Sequence, residues 1–210
     1  MFIMRYIGPV CRLCRKEGEK LFLKGDRCTS QKCAILRKNY APGMHAGKKA
    51  FGKQSEFSRQ LREKQKAKRI FQVSESQMAK YYTMATKKHG VTGTIFLQYI
   101  ERRLDNVVYR CGFAKSRRQA RIFVSHGLIK VNGKKCTIPS RIVKVEDKIS
   151  VNRKTKGVKV FEGLEKQKDY SPKWLKTDLE KGEAMVAFMP DKDDMEKSIN
   201  SQSIVEFYSK

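Results

Sequence analysis

Four cysteines near the start of the chain have the spacing of a metal-binding module. Two residues separate Cys11 from Cys14, and four separate Cys28 from Cys33. Two close thiol pairs joined by a loop are typical of a tetrahedral zinc site, in which protein side chains fill every ligand position. The spacing predicts a structural zinc ion bound by Cys11, Cys14, Cys28 and Cys33. Four reduced cysteines without a metal, or an iron–sulfur centre, are the alternatives.

The other two cysteines, Cys111 and Cys136, have a different pattern around them. Each lies on an apolar face of a predicted helix or strand, where a free thiol packs as a small hydrophobic group. The first residues are too short for a signal peptide, and cytosolic thiols stay reduced. We therefore do not expect a disulfide framework.

Basic side chains gather at the start of a helix predicted to begin after Ser116. Arg117, Arg118 and Arg121 lie in its first turns, and Lys115 comes just before it. Positive charge at a helix N-terminus is unfavourable by itself. The pattern therefore indicates a bound anion, because helix amides and guanidinium groups together bind phosphate. A basic surface exposed only to solvent is the alternative.

A hairpin predicted just downstream adds Lys130, Asn132, Lys134 and Lys135. The helix and the hairpin together could bind successive phosphates of a folded nucleic acid. A further basic run, Arg59–Arg69, is explained equally well as a solvated helix face. Most aromatic residues have the spacing of a helical core, so the sequence favours recognition of RNA shape and phosphates over stacking on bases.

The charge of the whole chain supports a polyanionic partner. The 210 residues include 47 Lys and Arg against 21 Asp and Glu, a formal net charge of +26. Charge of this size opposes compaction unless a partner neutralises it, and we expect that partner to be nucleic acid. Residues 178–210 differ, with 8 acidic and 4 basic residues. We expect this segment to be structural or to contact another basic protein.

Catalytic and membrane functions find no support in the sequence. The three histidines begin neither a deaminase nor a metalloprotease motif, and a phosphate-binding glycine loop is missing. No apolar run approaches the roughly 20 residues of a membrane-spanning helix. We expect no catalytic residue, no membrane association, no small-molecule substrate and a cytoplasmic location.

Hydrophobic periodicity predicts the elements that position these residues. Two helices are expected between Ser55 and His89, followed by a linker at 90–93. A single helix is expected from Thr94 to Cys111, and another from Ser116 to Gly127.

A period of two residues then predicts a small antiparallel sheet. Its first hairpin turns at Asn132–Gly133, a pair favoured in type I′ turns. Two more short strands are expected in 141–151, with a turn at Glu146–Asp147. The fold class is therefore α+β.

Several stretches resemble the bacterial family of small-subunit ribosomal protein four. The resemblance is closest over the predicted helix pair and hairpin, and it extends over nearly the whole chain. The matching stretches are Arg103–Arg121, Val124–Gly127, Val131–Lys134, Gly8–Arg15, Gly18–Leu23, Asn39–His45, Gln60–Gln65 and Ile204–Ser209.

This resemblance implies a structural protein of the small ribosomal subunit. It would be a primary binder of 16S ribosomal RNA at a helix junction of the 5′ domain, would nucleate assembly and would affect translational fidelity. The implied partners are 16S ribosomal RNA, the neighbouring ribosomal proteins three and five, and a nearby mRNA. Because all four N-terminal cysteines are present, the zinc form of the family is implied.

The resemblance also implies the order of the domains. A mainly helical domain would carry an N-terminal zinc module with four cysteine ligands, and a domain with two helices and a small antiparallel sheet would be inserted into it to bind RNA. The expected bounds are 1–46 for the zinc-binding module, 47–93 and 172–210 for the helical domain, and 94–171 for the S4-type RNA-binding domain.

The expected RNA-binding residues combine the basic helix, the matching stretch and the hairpin. They are Arg59, Arg62, Arg69, Arg103, Arg110, Lys115, Ser116, Arg117, Arg118, Arg121, Lys130, Asn132, Lys134 and Lys135. The alternative function is a free RNA-binding regulator or RNA chaperone that uses the same fold outside the ribosome. An RNA-modifying enzyme would need a catalytic Asp or a cofactor loop, and neither is found.

Overall fold

The computed structural model describes residues 6–44, 55–152 and 171–209. The chain forms two compact units, one of residues 1–96 with 197–210 and one of residues 97–196. Parts of the expected domains, at 45–54 and 153–170, lie outside the described residues, as does His45 of the matching stretch that begins at Asn39.

Helices make up the regular structure of the described part of the first unit. Two serines begin its longer helices, because the Ser55 and Ser74 hydroxyls accept hydrogen bonds from the backbone N–H groups of Ser58 and Gln77. The helices are α1 (Cys11–Glu17), α2 (Asp26–Thr29), α3 (Ala34–Arg37), α4 (Glu56–Phe71), α5 (Glu75–Thr86), the start of α6 (Thr92–Glu101) and, after the second unit, α9 (Ser201–Tyr208).

The last helix, α9, completes the core of this unit. It packs mainly against α4 and also contacts α5. Ile204 is fully buried, and Phe207 packs against Phe57 with 5.6 Å between the ring centroids. Burial of an apolar face of this kind supplies most of the stability of a short helix.

The second unit places two helices against a sheet. Its elements are the rest of α6, α7 (Leu104–Arg110), α8 (Arg117–Ser125), β1 (Ile129–Val131), β2 (Lys134–Lys135), β3 (Lys148–Val151), β4 (Leu175–Asp178) and β5 (Glu183–Val186), followed by a 3-10 turn at Lys192–Asp194. The strands pair in the order β2-β1-β3-β5-β4, and each pairing is antiparallel. The mixture of helices and a small antiparallel sheet confirms the α+β class.

The single helix expected from Thr94 to Cys111 is wrong, because the structure contains two helices with a break at Arg103. The Arg103 backbone is extended, with φ −66° and ψ 137°. Beyond the break, the Leu104 N–H donates to the carbonyl of Arg141 at 2.8 Å. The segment 139–143 thus takes backbone hydrogen bonds that would otherwise continue the helix. The expected linker at 90–93 is also shorter, since α6 begins at Thr92.

The hairpin turn follows the expectation. Asn132 and Gly133 have φ values of 52° and 77°, as a type I′ turn requires at both central residues. The expectation of two strands in 141–151 is only half right. Strand β3 begins at Lys148, and the residues before it make one isolated bridge, from Ile142 to Arg103.

The segment after 171 differs from its expected place in the helical domain. Strands β4 and β5 extend the sheet of the second unit. Of the segment after 171, only residues 197–210 belong to the first unit. Trp174 is fully buried in the core of the second unit, against residues of α7, α8 and the strands. The alternating apolar residues of β4 and β5, such as Leu175 and Val186, cover that same core.

Candidate nucleic-acid interface

The start of α8 is a capped helix terminus surrounded by positive charge. The Ser116 hydroxyl accepts from the Gln119 N–H at 3.3 Å, and the Gln119 side chain accepts from the Lys115 N–H at 2.8 Å. The first turn contains no acidic residue. Lys115 is exposed and Arg118 is half-buried. This terminus therefore presents basic groups to solvent, as expected for a surface that binds an anion.

Arg117, the first residue of α8, points into the unit instead. Its Nε donates to Oδ1 of Asn106 at 2.8 Å, and its Nη2 donates to Oε2 of Glu196 at 2.9 Å. The guanidinium also lies 4.6 Å from the centre of the Tyr109 ring. With 7% of its side chain exposed, Arg117 binds protein groups rather than presenting a guanidinium to a ligand.

Two further arginines share the carboxylate of Asp105. Arg103 donates to it through Nε at 3.0 Å and through Nη2 at 2.7 Å. Arg121 donates to the same carboxylate at 3.1 Å. Arg103 is nearly fully buried, whereas 31% of the Arg121 side chain is exposed. Of this pair, Arg121 is therefore the one that can also reach a ligand.

Arg110 binds the fully buried Glu101. The two side chains meet at 2.7 Å and 3.2 Å. Burial opposes the charge of Arg110, but the charge and hydrogen bonds of Glu101, together with Glu196, raise the pKa of Arg110. Asn106 donates to the Glu101 carbonyl at 2.9 Å and so links this pair to Arg117.

These contacts form one network, which we call the arginine network, because the Asn106 N–H also donates to Oδ1 of Asp105 at 3.0 Å. Four of the expected RNA-binding arginines belong to it and are bound by three carboxylates. Its members are Arg103, Arg110, Arg117, Arg121, Glu101, Asp105, Glu196 and Asn106. Sequence reasoning missed Glu196, because it lies far from the arginines in the chain and no spacing pattern joins them, and it gave no role to Glu101 and Asp105, which lie close to Arg103 in the chain.

Asn132 at the hairpin has a structural contact of its own. Its side chain donates to Oδ1 of Asp147 at 2.7 Å and accepts from the Lys148 N–H at 2.8 Å. These bonds join the turn to the start of β3. Asn132 therefore shapes the hairpin through its side chain.

The lysines of the hairpin are arranged as an unneutralised group. Lys130 and Lys135 are direct cross-strand partners, and Lys134 pairs with the buried Val131. Like charges directly opposite one another are destabilising. In the described ranges, no carboxylate pairs with any of these three lysines. The hairpin therefore has cationic groups available for an anion.

The basic run of α4, in the first unit, is largely neutralised by carboxylates. Arg62 and Arg69 both contact Glu17, and Lys64 and Lys68 both contact Glu75. In a third set of contacts, Arg59 pairs with Glu56, and Lys66 pairs with Glu19 and Glu63. The expectation from sequence included only the acid within the run and missed those contributed by α1 and α5.

The four N-terminal cysteines lie on short helical elements. Cys11 and Cys14 are one turn apart in α1, Cys28 is in α2, and Cys33 precedes α3. Burial raises the pKa of the Cys14 thiol, and the nearby Cys28, Cys11 and Cys33 raise it further.

A backbone group points at one of these sulfurs, but the described residues do not assemble a metal site. The Lys24 N–H donates to Sγ of Cys28 at 3.3 Å. Within the described ranges, no three His, Cys, Asp or Glu side chains are gathered closely enough to bind a metal ion. Zinc therefore stays a prediction.

No helix in residues 6–44, 55–152 or 171–209 is long and apolar enough to cross a membrane.

Comparison with known proteins gives matches over both units. The family model described as "Ribosomal protein S4/S9 N-terminal domain" matches residues 5–101, and the model described as "S4 domain" matches residues 102–149. Three curated relatives are each called "Small ribosomal subunit protein uS4". Those of Halothermothrix orenii, Acetivibrio thermocellus and Thermus thermophilus are 52%, 50% and 48% identical to this chain, with 98% of the chain and 99% of each relative covered.

Proposed function

The chain belongs to the S4 family of small-subunit ribosomal proteins, and from this membership we propose that it is a structural constituent of the small ribosomal subunit that binds 16S ribosomal RNA. The observation that carries the proposal is identity of about one half to small ribosomal subunit proteins over nearly the full length of both chains. The family is one of ribosomal proteins rather than enzymes, so the chain has a binding function.

The RNA-binding surface is assigned to the solvent-accessible cations of the second unit. At the start of α8 these are Lys115 and Arg118, with Arg121 beside them. At the hairpin they are Lys130, Lys134 and Lys135. The unneutralised lysines of the hairpin support this assignment, because a phosphate between them would relieve their mutual repulsion.

The buried arginines have a different role in this proposal. Arg103, Arg110 and Arg117 bind carboxylates inside the unit, so they position α7 and α8 instead of meeting phosphates directly. Arg59, Arg62 and Arg69 of the first unit remain candidate contacts whose carboxylate partners compete with phosphate.

The mechanism of binding follows from charge and shape. Exposed lysines and arginines displace counterions from the RNA, which supplies affinity that depends on salt but not on sequence. The rigid arrangement of α7, α8 and the sheet then selects an RNA whose phosphates match it, as folded RNA is recognised largely by shape.

The family resemblance supports a more specific role. In that role the chain is a primary binder of a helix junction in the 5′ domain of 16S ribosomal RNA, nucleates subunit assembly and contributes to translational fidelity. Its further partners would be the neighbouring ribosomal proteins three and five and a nearby mRNA, and its location would be the cytoplasm.

A free RNA-binding regulator or RNA chaperone is the second candidate. It is not favoured, because similarity to ribosomal proteins extends over both units and not only over the S4 domain.

A structural zinc ion is part of the proposal for the first unit. Four thiols are a suitable donor set for zinc, and three of them are buried. Burial and the neighbouring Cys28, Cys11 and Cys33 raise the pKa of the Cys14 thiol, and a divalent cation would relieve the repulsion between these sulfurs.

Elemental analysis of the purified protein tests the zinc proposal. We expect about one zinc per chain, and the Cys28→Ser variant should lose it, because a structural site needs all four ligands. Cys136→Ser, at a cysteine outside the module, is the control and should keep the metal. Iron in place of zinc would indicate an iron–sulfur centre, and no metal in the unsubstituted chain would contradict the proposal.

Sedimentation with ribosomal particles tests the proposed function. The tagged chain is added to small-subunit assembly mixtures, and particles are then washed at high salt. We expect about one copy per particle to remain, because shape-specific contacts persist where counterion-driven ones are lost. An unrelated basic protein of similar charge is the control. Complete release of the chain together with that control would contradict the proposal and favour a free RNA-binding protein.

A further inference from the structure

The segment after the sheet contributes the Glu196 carboxylate to the arginine network. Its Oε2 lies 2.9 Å from Nη2 of Arg117 and 3.6 Å from Nη2 of Arg110. Arg117 begins α8 and Arg110 ends α7. The last residue of the second unit thus binds the two helices that carry its basic surface.

Glu196 is the most exposed of the three carboxylates in the network. Its side chain is 26% exposed, whereas those of Glu101 and Asp105 are 0% and 6% exposed. Arg117 is 7% exposed and Arg110 is 21% exposed. Glu196 and Arg110 therefore lie at the edge of solvent, where a phosphate could approach, and Glu196 also neutralises the more deeply buried Arg117.

A carboxylate and a phosphate compete for the same guanidinium donors. Arg110 has a second carboxylate, Glu101, at 2.7 Å, and Arg117 also donates to the neutral Asn106. Removal of the Glu196 charge would therefore weaken the neutralisation of both arginines. The Arg117 guanidinium belongs to the same helix start as Lys115 and Arg118, where an anion is already favoured.

We propose that Glu196 is a specificity-determining residue, which withholds the positive charge of Arg117 and Arg110 from the phosphates of non-cognate RNA. The proposal rests on the RNA-binding function proposed above. Affinity for any polyanion grows with the number of phosphates that a protein neutralises. A carboxylate that occupies an arginine therefore lowers binding to an RNA that is bound through charge alone, while an RNA matched in shape takes its affinity from the exposed cations. Glu196 would thus give specificity by weakening binding to the wrong RNA, and not by strengthening binding to the right one.

This arrangement explains one of the acidic residues near the end of the chain. Residues 178–210 contain 8 acidic residues in a chain of net charge +26. At Glu196 the acid is placed on arginines of the RNA-binding unit. Its effect is to limit non-specific affinity while the fold keeps its arginines in place.

The Glu196→Gln variant tests the proposal against a matched control, Glu180→Gln. Both changes remove one negative charge from the second unit, but Glu180 is exposed and lies outside the network. Binding is measured to tRNA and to the 5′ domain of 16S ribosomal RNA over a range of salt. For Glu196→Gln we expect tRNA to bind about three- to tenfold more tightly than it does to the control, with a log–log salt slope steeper by about 0.7–0.9. Binding to the 5′-domain RNA should change no more than in the control.

Two further variants keep the test decisive. Glu196→Asp retains the net charge but shortens the side chain, so a gain in tRNA affinity would come from the lost contact alone. Adding Arg117→Gln to Glu196→Gln should reduce the gain, because one of the two released guanidinium groups is then missing. Emission from Trp174, the single tryptophan, reports whether each variant is folded. If Glu196→Gln does not fold, the Glu196→Asp variant tests the proposal instead.

The outcomes separate this proposal from the function on which it rests. If Glu196→Gln binds tRNA no better than Glu180→Gln does, and Glu196→Asp no better than the unsubstituted chain does, Glu196 has no role in specificity. If the unsubstituted chain binds tRNA and the 5′-domain RNA equally well, the proposed ribosomal RNA function fails, whatever the variants do.

Discussion

Arg103 and Asp105 form a bidentate ion pair across the break between α6 and α7, with contacts of 3.0 Å and 2.7 Å. Both side chains are nearly fully buried. The extended backbone at Arg103 brings the two groups together, although they are only two residues apart. A continuous helix would not place neighbours of this spacing face to face. The break in the helix is thus part of the arginine network.

Asp105→Asn should strongly destabilise the second unit. The change removes the charge that neutralises Arg103, and breaking one side of a buried ion pair costs about 3–5 kcal/mol. Unfolding in denaturant is followed through the emission of Trp174. Asp178→Asn, which breaks the exposed contact with Lys181 at 3.2 Å, should have a much smaller effect, because solvent screens that pair. Equal losses in the two variants would show that the buried pair is not a stabilising contact.

The stability of the first unit should fall in acid through Glu75. Burial alone would raise the pKa of Glu75, but hydrogen bonds from Lys64, Tyr208 and Lys68 outweigh it and hold the pKa below the ordinary value of 4.5. A carboxylate with a lowered pKa in the folded state stabilises the fold above its unfolded pKa. That contribution is lost as the pH falls below 4.5 and through the folded pKa.

Thermal unfolding of the first unit, followed by circular dichroism between about pH 7 and about pH 3, measures this effect. Glu75→Gln should unfold at lower temperature at neutral pH and should lose less than the unsubstituted chain on acidification. Glu19→Gln, at an exposed carboxylate 3.4 Å from Lys66, is the control and should keep the pH dependence. An unchanged pH dependence in Glu75→Gln would contradict the assignment.

Removal of the hairpin charges should weaken RNA binding in a way that depends on salt. In the Lys134→Gln and Lys135→Gln double variant, each lost phosphate contact should reduce the log–log salt slope by about 0.7–0.9. Lys181→Gln, which removes a lysine paired with Asp178, should leave the slope nearly unchanged. A slope that changes equally in both cases would mean that net charge, and not the hairpin, binds the RNA.

The type I′ turn should tolerate side chains at Gly133 according to their backbone preference. A Cβ at this position would meet no atom within 4 Å, so any cost comes from its φ of +77°. Gly133→Ala should destabilise the second unit by about 1–2 kcal/mol. Gly133→Asn should cost less, because Asn adopts the left-handed region more readily. Equal destabilisation by the two changes in denaturant unfolding would indicate a steric cause instead.

Local pattern predicted the local structure of this chain well. Helices begin after Ser55 and Ser116 as expected, each capped by its serine, and Asn132–Gly133 forms the expected turn. These features depend on residues close together in sequence, and the backbone preferences of single residues determine them. The family was also evident from motifs that lie along the chain.

Features that depend on contacts between distant segments were not predictable. The apolar stripe from Phe96 to Cys111 has helical spacing, yet backbone hydrogen bonds to 139–143 interrupt the helix. Strands β4 and β5 join a sheet whose other strands lie before residue 152, and no local pattern in the chain indicates that pairing.

The candidate site shows the same division. The basic residues of α8 and the hairpin were identified from charge and spacing, but charge alone does not tell an exposed arginine from a buried one. Arg117 binds Glu196 and Asn106 inside the unit, whereas Lys134 and Lys135 are exposed at the hairpin. The difference lies in carboxylates contributed by other segments, which no local pattern reveals.

A competition binding assay tests the central claim most directly. The full chain is bound to the 5′ domain of 16S ribosomal RNA at physiological salt, and tRNA is added as competitor. If the chain recognises the shape of a ribosomal RNA junction, the 5′-domain RNA should bind about a thousandfold more tightly than tRNA, as specific complexes exceed non-specific ones. Equal affinity for the two RNAs would mean that the charge of +26 drives association by itself and would contradict the proposed function.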